Sequence, residues 1–570
     1  MLTDLQKLWG ILTPQERRKT IIMLALITVM AMAETGGVIS IMPFLAVLAR
    51  TDVIFENSWL NWAYTTFHFT SSKDFMQALG VLSIAMVVGS SLFKTVTLHI
   101  VNRFVFFLRH HLSVRLLERY LQQPYEFFLM HNSSLLSRNV LSEIDELLNG
   151  LIKPISQLIA QGAVVVAMLV LLFVYNPVTA VFIVLSVSTL YGAIYLLVRK
   201  RLNRIGHERQ FSNGKRFQAC NEVLGGIKDV KITQTGDMYL EQFSSSSRNF
   251  ARHQATAETL SQSPLYIVEA VGYTGLIILA LILMATSNDI AHVLPALGLY
   301  GFAAFRLLPS AQIMYRGLAQ LKFSSASLDV LYQGLSLLNQ TPKEYIKPLL
   351  PKHEIRLENI HYAYPSTPDK KVFNGLNLTI KVNTSLGIKG TSGTGKSTLM
   401  DILLGLLQCQ QGKLYVDGVE VNQSNVQAWQ KSIGYVPQHI FLADATVAEN
   451  IAFGIPKEHI NQVALEKAAK AAQIHHFIEN NLEQGYQTML GERGIRLSGG
   501  QRQRIGIARA LYHDPSVLFM DEATSALDNE TEANLNNAID NLLNSKTVII
   551  ISHRYSSLKN CDNIINLSHT

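Results

Sequence analysis

The chain has 570 residues, 48% of them hydrophobic, and carries a net charge of +7. That length admits two or more domains, and the positive mean hydropathy fits a chain that is part membrane and part soluble. The charge is not a nucleic-acid signature: Arg199, Lys200, Arg201, Arg204, Arg209, Lys215 and Arg216 follow directly on a hydrophobic run, as expected of a cytoplasmic loop. Cys220, Cys409 and Cys561 stand far apart, which excludes a CxxC pair and zinc spacing and leaves ordinary reduced thiols.

In chain order, the first element is "TIIMLALITVMAMAETGGVISIMPFLAVLA", residues 20–49, with Glu34 as its one charge. As a helix it reaches about 45 Å, enough to cross a bilayer, and it is too long for a secretory signal. A second span begins near Phe75 and is uncharged until Lys94. Residues 154–198 carry no charge and are too long for one span; "YNP" at 175–177 divides them into two. Residues 261–287, interrupted by Glu269, and 290–315, interrupted by Arg306, complete an expected six. Arg17, Arg18 and Lys19 place the N-terminus in the cytoplasm, and six crossings return the chain there before residue 320. The polar segments around 105–150 and 199–260 read as cytoplasmic extensions of the membrane helices. "LLNQTPKEYIKPLLPK" reads as a linker. The expected boundaries are a transmembrane domain over 1–330, a linker over 331–350 and a soluble α/β domain over 351–570.

The soluble part opens on the strand-like "PKHEIRLENIHYAYP". "GTSGTGKST" at 390–398 then follows a strand-like run and precedes a helix-like one. This is a phosphate-binding loop: Gly390, Ser392, Gly393, Thr394 and Gly395 bring backbone N–H groups around phosphate oxygens. Lys396 reaches the β- and γ-phosphates, and Ser397, followed by Thr398, binds Mg²⁺. About 125 residues later "SVLFMDEATSALD" supplies an apolar strand ending in Asp521 and Glu522. Asp521 suits a hold on Mg²⁺, and Glu522 suits activation of the attacking water.

"RLSGGQRQRIGIARAL" at 496–511 resembles the signature of ATP-binding-cassette transporters, and the resemblance covers nearly the whole chain. It implies that Ser498, Gly499, Gly500 and Gln501 open a helix whose N–H groups meet the γ-phosphate of ATP held by an opposing cassette. One cassette per chain therefore implies a homodimer. "YVPQHIFL" resembles the Q-loop, giving Gln438 a place at the Mg²⁺ site, and "ISHR" resembles the switch, giving His553 a γ-phosphate contact. "SALD" at 525–528 resembles the D-loop, and "GERG" at 491–494 a cross-contact loop between cassettes. Tyr364, in "YAYP", stands where the family stacks an aromatic on adenine. Six spans before one cassette resemble an exporter-type half-transporter: an α-helical transmembrane domain followed by an α/β P-loop NTPase. "LQQPYEFFLMHNSSLLSRNV" and "GGIKDVKITQTGDMYLEQF" resemble the two intracellular loops that couple cassettes to spans. Relatives usually run on after "CDNIINL", whereas this chain stops at Thr570, read as a short natural end.

Four charges share a depth between mid-membrane and the inner leaflet. Glu34 lies about 21 Å from the cytoplasmic start of its span, Lys94 about 28 Å and Arg306 about 25 Å from their outer ends, and Glu269 near an inner end. Two acids and two bases either pair between helices or leave positive charge for an anionic headgroup. Arg103 adds to it, one helical turn from His99 on the same face. "AETGGVISIMPFLA", "PLYIVEAVG" and "FRLLPSAQ" resemble PglK-type flippases of lipid-linked oligosaccharides. "VIFENSWLNWAYTTFHF", with Trp59, Trp62, Tyr64 and Phe67, fits an outer interfacial segment. The resemblance implies ATP-driven flipping of a polyprenyl-linked oligosaccharide or related glycolipid across a bacterial inner membrane, with no nucleic-acid partner. The alternative is export of drugs, lipid A-type lipids or peptides. Peptides are the least expected cargo, because no peptidase-like segment precedes the first span.

Overall fold

The computed structural model describes residues 2–175, 177–286, 290–337, 347–522, 546–554 and 558–567. The chain divides into two compact units, Met1–Gln123 with His131–Gln340, and Pro124–Met130 with Thr341–Thr570.

The first unit is helical. Among the described residues, four helical stretches are long and apolar enough to cross a membrane: Pro14–Leu48, Ser72–Leu121, Ser133–Val170 and Ala180–Gly225. The expected fifth and sixth spans fall on the helices Pro264–Thr286 and Ile290–Phe323, between which residues 287–289 lie outside the description. The "YNP" division is seen as one helix ending at Tyr175 and the next beginning at Pro177. The first span, expected as one run, is instead broken at Ser40, between helices Pro14–Ile39 and Ile41–Ala49. Pro43 lacks the N–H that would bond the Ile39 carbonyl, and Ser83 Oγ donates to the carbonyl of Ser40 at 2.7 Å.

A second proline sets a second break. Helix Gly236–Gln262 ends at Ser263, and the next begins at Pro264. The Leu260 carbonyl, deprived of a donor at Pro264, accepts from Tyr315 Oη at 3.0 Å. Gln312 Nε2 donates to the next carbonyl, that of Ser261, at 3.1 Å, and its Oε1 accepts from Tyr191 Oη at 3.2 Å. Tyr191, Ser261, Gln312 and Tyr315 are buried and Leu260 half-buried, so the break is held by side chains.

A charged cluster lies inside the extensions predicted to be cytoplasmic. Glu143 is fully buried, within a π-helical turn over Asn139–Glu143, and lies 3.7 Å from Arg209 and 3.6 Å from Arg138. Ser327 Oγ donates to Glu143 at 2.5 Å, and Arg209 also reaches Glu146 at 3.4 Å. Buried charges persist only when paired in this way.

The second unit holds two sheets. The antiparallel one has the order β2-β1-β4-β5, with β1 Glu354–Ala363, β2 Lys371–Lys381, β4 Gln411–Val416 and β5 Val419–Glu420. The other is parallel, in the order β6-β7-β8-β3-β9, from β6 Ile433–Val436, β7 Val517–Asp521, β8 Thr547–Ile551, β3 Ser385–Gly390 and β9 Asn563–Leu567. β8 is buried throughout, and β7 up to its last residue. That explains their unbroken apolar runs: a parallel sheet is covered on both faces. The segment 525–528 and residues 338–346 of the expected linker lie outside the described residues.

Candidate functional site

β3 delivers the chain to the 390–398 loop, and helix Lys396–Leu403 leaves it. Gly395 caps that helix with φ of +88°, and a Cβ there would meet Val372 Cγ1 at 2.7 Å, so only glycine fits. Lys396 Nζ donates to the carbonyls of Gly390 and Thr391, each at 2.9 Å, which folds the lysine back across its own loop. Gly393 also has positive φ, and Thr394 Oγ1 donates to the Thr391 carbonyl at 2.9 Å. Ser392 and Ser397 are exposed at the loop surface, while Thr398 is buried.

β7 ends at Asp521, and Glu522 follows in a left-handed conformation, φ +47°. Its side chain is held from two sides: Gln438 Nε2 donates to Oε2 at 2.8 Å, and His553 Nε2 lies 3.2 Å from Oε1. Three sequence-distant residues expected at one site thus meet on one carboxylate. Burial, and then Glu522, push the Asp521 carboxyl above its ordinary range, with Lys396 opposing. Two adjacent acids, the Ser397 hydroxyl and the Gln438 amide oxygen, which makes no hydrogen bond among the described residues, are hard-oxygen donors of the kind that suit a divalent cation completed by phosphate oxygens. Among the described residues, no cluster of three or more His, Cys, Asp or Glu side chains could hold a metal alone.

Helix Gly499–Leu511 begins with a reciprocal capping box. Ser498 Oγ accepts from the Gln501 amide at 3.2 Å, and Gln501 Oε1 accepts from the Ser498 amide at 2.8 Å. Those side chains are spent on the cap, which leaves the Gly499 and Gly500 amides pointing off the helix end as donors for an anion. Among the described residues, no hydrogen bond joins 498–501 to the phosphate loop. The same helix supports Glu522: Gln503 Nε2 donates to the Glu522 carbonyl at 3.3 Å.

Tyr364 lies edge-on to the buried Tyr362, centroids 5.2 Å apart at 82°, and shares a hydrogen bond with Thr398 Oγ1 at 2.9 Å. Sequence reading passed over Tyr362, although the two-residue spacing in "YAY" puts both rings on one strand face. It also passed over Asp401, whose carboxyl burial and Asp521 push up to about 6. No local pattern marks Asp401; only the fold brings it near Asp521.

In the first unit, Lys94 Nζ and Arg306 NH2 both reach Glu34 Oε1, each at 2.7 Å. Of the two alternatives for these charges, full pairing of two acids with two bases is not what is seen: one carboxylate serves two bases. Both approach Glu34 from neighbouring helices, whereas among the described residues Glu269 forms no ion pair with either base. Arg103 is exposed, over the Phe107 ring at 5.7 Å. In the outer segment Trp59, Trp62 and Phe67 are exposed, as expected. Tyr64 instead packs edge-on against Phe55 at 5.6 Å and Phe75 at 5.3 Å.

Two family profiles match the chain, one described as "ABC transporter transmembrane region" over residues 24–290 and one as "ABC transporter" over 373–525. An "ATP-dependent lipid A-core flippase" of Saccharophagus degradans is 32% identical over 448 residues, 78% of this chain and 74% of that protein. The "Multidrug resistance protein pgp-1" of Caenorhabditis elegans is 39% identical over 251 residues, 44% of this chain and 19% of that protein. A solved structure titled as a bacterial Atm1-family ABC exporter with ATP bound superposes with a TM-score of 0.78 at 20% identity, covering 98% of this chain and 94% of that one.

Proposed function

The chain belongs to the ABC transporter family, as an exporter-type half-transporter that couples ATP hydrolysis to transport, and from that premise we propose that it flips a polyprenyl-linked oligosaccharide or related glycolipid. It is a multi-pass membrane protein. In this reading it has six spans over 1–330 and an ATPase domain over 351–570. It works as a homodimer in a bacterial inner membrane with the ATPase domain in the cytoplasm.

The observation that carries the reading is the sharing of Glu34 by Lys94 and Arg306. One carboxylate against two bases leaves a local excess of positive charge beside Glu34, where charge is costly and serves a purpose. A pyrophosphate-linked lipid supplies the anion, and the exposed Trp59 and Trp62 suit an amphipathic tail at the outer interface. A second reading, export of a lipid A-type lipid, is favoured by the similarity to the lipid A-core flippase. Its phosphates satisfy the same charge.

At the ATP site the phosphate loop and Lys396 bind the triphosphate, and Tyr364 stacks on adenine. Ser397, Gln438 and Asp521 would hold Mg²⁺, which when bound would neutralise charge on the phosphates. Glu522, steadied by Gln438 and His553, accepts a proton from the attacking water. The amides of Gly499 and Gly500 of the second copy close over the γ-phosphate.

Vesicles containing the purified protein, loaded in parallel with a labelled polyprenyl-pyrophosphate glycan and a labelled lipid A-core, test the choice. ATP-dependent movement of the glycan lipid alone supports the first reading. Movement of lipid A-core alone replaces it with the second.

A further inference from the structure

We propose that Tyr362 and Glu126 position Tyr364, so that the short helix Tyr125–Met130 sets how tightly the site holds ATP; this rests on the reading of Tyr364 as the adenine seat.

The helix Tyr125–Met130 is set apart in the chain. It belongs to the compact unit of the ATPase domain, whereas the chain on either side, through Gln123 and from His131, belongs to the helical unit. Within the ATPase unit its Glu126 accepts a hydrogen bond from Tyr362 Oη at 3.4 Å. Tyr362 is 1% exposed, and no other hydrogen bond to its hydroxyl is found among the described residues. A buried hydroxyl without an acceptor is unfavourable, so the ring sits where Glu126 can reach it.

Tyr362 in turn fixes Tyr364. The two rings meet edge to face, a geometry whose attraction depends on angle as well as distance. On its far side Tyr364 is tied to Thr398 in the phosphate-loop helix. The aromatic face offered to a base is therefore set by two contacts, one of which leads through Tyr362 to Glu126. Burial and then Asp401 and Tyr364 raise the phenol of the neighbouring Tyr125. Burial and then Glu126 push the Cys409 thiol up to about 11.

Steady-state ATPase kinetics on the full-length protein test the chain of contacts. Tyr364→Ala removes the stacking face and raises KM for ATP by about 5- to 150-fold. Tyr362→Phe and Glu126→Ala each remove one hydrogen-bond partner and raise KM by about 2- to 10-fold, with kcat held within about twofold. Glu126→Gln keeps an acceptor oxygen and stays near wild type. The double variant Tyr362→Phe with Glu126→Ala is no worse than either single one, because both break the same bond. A merely structural role lowers thermal stability and the active fraction but not the KM. Unchanged KM in Tyr362→Phe and Glu126→Ala, alongside a raised KM in Tyr364→Ala, overturns the positioning role alone. So does a Glu126→Gln protein as impaired as Glu126→Ala. Unchanged KM in Tyr364→Ala overturns the adenine seat, and the proposal with it.

Discussion

The hydroxyl of Tyr315 donates to the Leu260 carbonyl, the acceptor that Pro264 leaves without its helical partner. The Tyr315 ring is buried and Leu260 half-buried, so Tyr315→Phe leaves that carbonyl without its partner at a cost of about 1 kcal/mol. The midpoint of thermal unfolding in detergent should fall by several degrees. Pro264→Ala restores a donor to the helix, so adding it to Tyr315→Phe should recover most of the loss. No recovery in the double variant would show that the hydroxyl acts through something other than the proline break.

A second expectation concerns the buried charge cluster. Arg209→Met leaves Glu143 fully buried, faced by Arg138 and Ser327 among the described residues. Breaking such a pair from one side costs about 3–5 kcal/mol. Arg209→Met with Glu143→Gln should be markedly more stable than Arg209→Met alone, as read by the yield of monodisperse protein and its melting midpoint. Equal loss in both would place the defect in packing, since Arg209 also lies over the Phe323 ring at 5.4 Å.

Hydrolysis should hinge on Glu522. Glu522→Gln preserves length and hydrogen-bonding capacity beside Gln438 and His553 but removes the base. ATP binding should persist while turnover falls by about 10²–10⁴. The purified variant should also accumulate a closed dimer with ATP, detectable by size-exclusion chromatography or cross-linking. Turnover at the wild-type rate would remove Glu522 from the chemistry.

The sequence motifs that proved easiest to place are those whose spacing is dictated by a small ligand. The phosphate loop must follow a strand and open a helix, and it does, because the N–H cradle needs that turn. The acid pair likewise sits at a strand end. What the sequence hid are contacts made only by tertiary closure. Asp401 and Tyr125 are unremarkable in the sequence, and their relation to Asp521 and Tyr364 is created by the fold. Breaks inside helices were legible only in part. "YNP" announced itself, whereas the break at Ser40 depends on Pro43 three residues on, and that at Ser263 on Tyr315 and Gln312, far away in the chain. The pairing of Glu34 was legible only as a choice, since counting charges allows two pairs while geometry lets one oxygen accept from two bases.

That shared carboxylate decides the last prediction. Removing either base leaves Glu34 with one partner, so Arg306→Ala and Lys94→Ala should both fold, each retaining one ion pair. They should differ in transport. A guanidinium grips phosphate oxygens through two parallel hydrogen bonds, while an ammonium acts as a point charge. If the headgroup binds here, Arg306→Ala loses about 1.5–3 kcal/mol of contact, equivalent to about a 10- to 150-fold rise in the lipid-linked glycan needed for half-maximal flipping. Lys94→Ala should show a smaller rise, and Arg306→Lys should recover part of the loss. Basal ATPase activity should stay close to wild type in all three, because none belongs to the nucleotide site. Glu34→Gln behaves oppositely: it leaves two bases beside a neutral amide, so expression and melting temperature should fall before any transport defect can be read. Adding Arg306→Gln should then restore stability without restoring transport. Reconstituted vesicles with a labelled polyprenyl-pyrophosphate glycan give the answer, and normal flipping by a well-folded Arg306→Ala protein would return all three charges to a purely structural role.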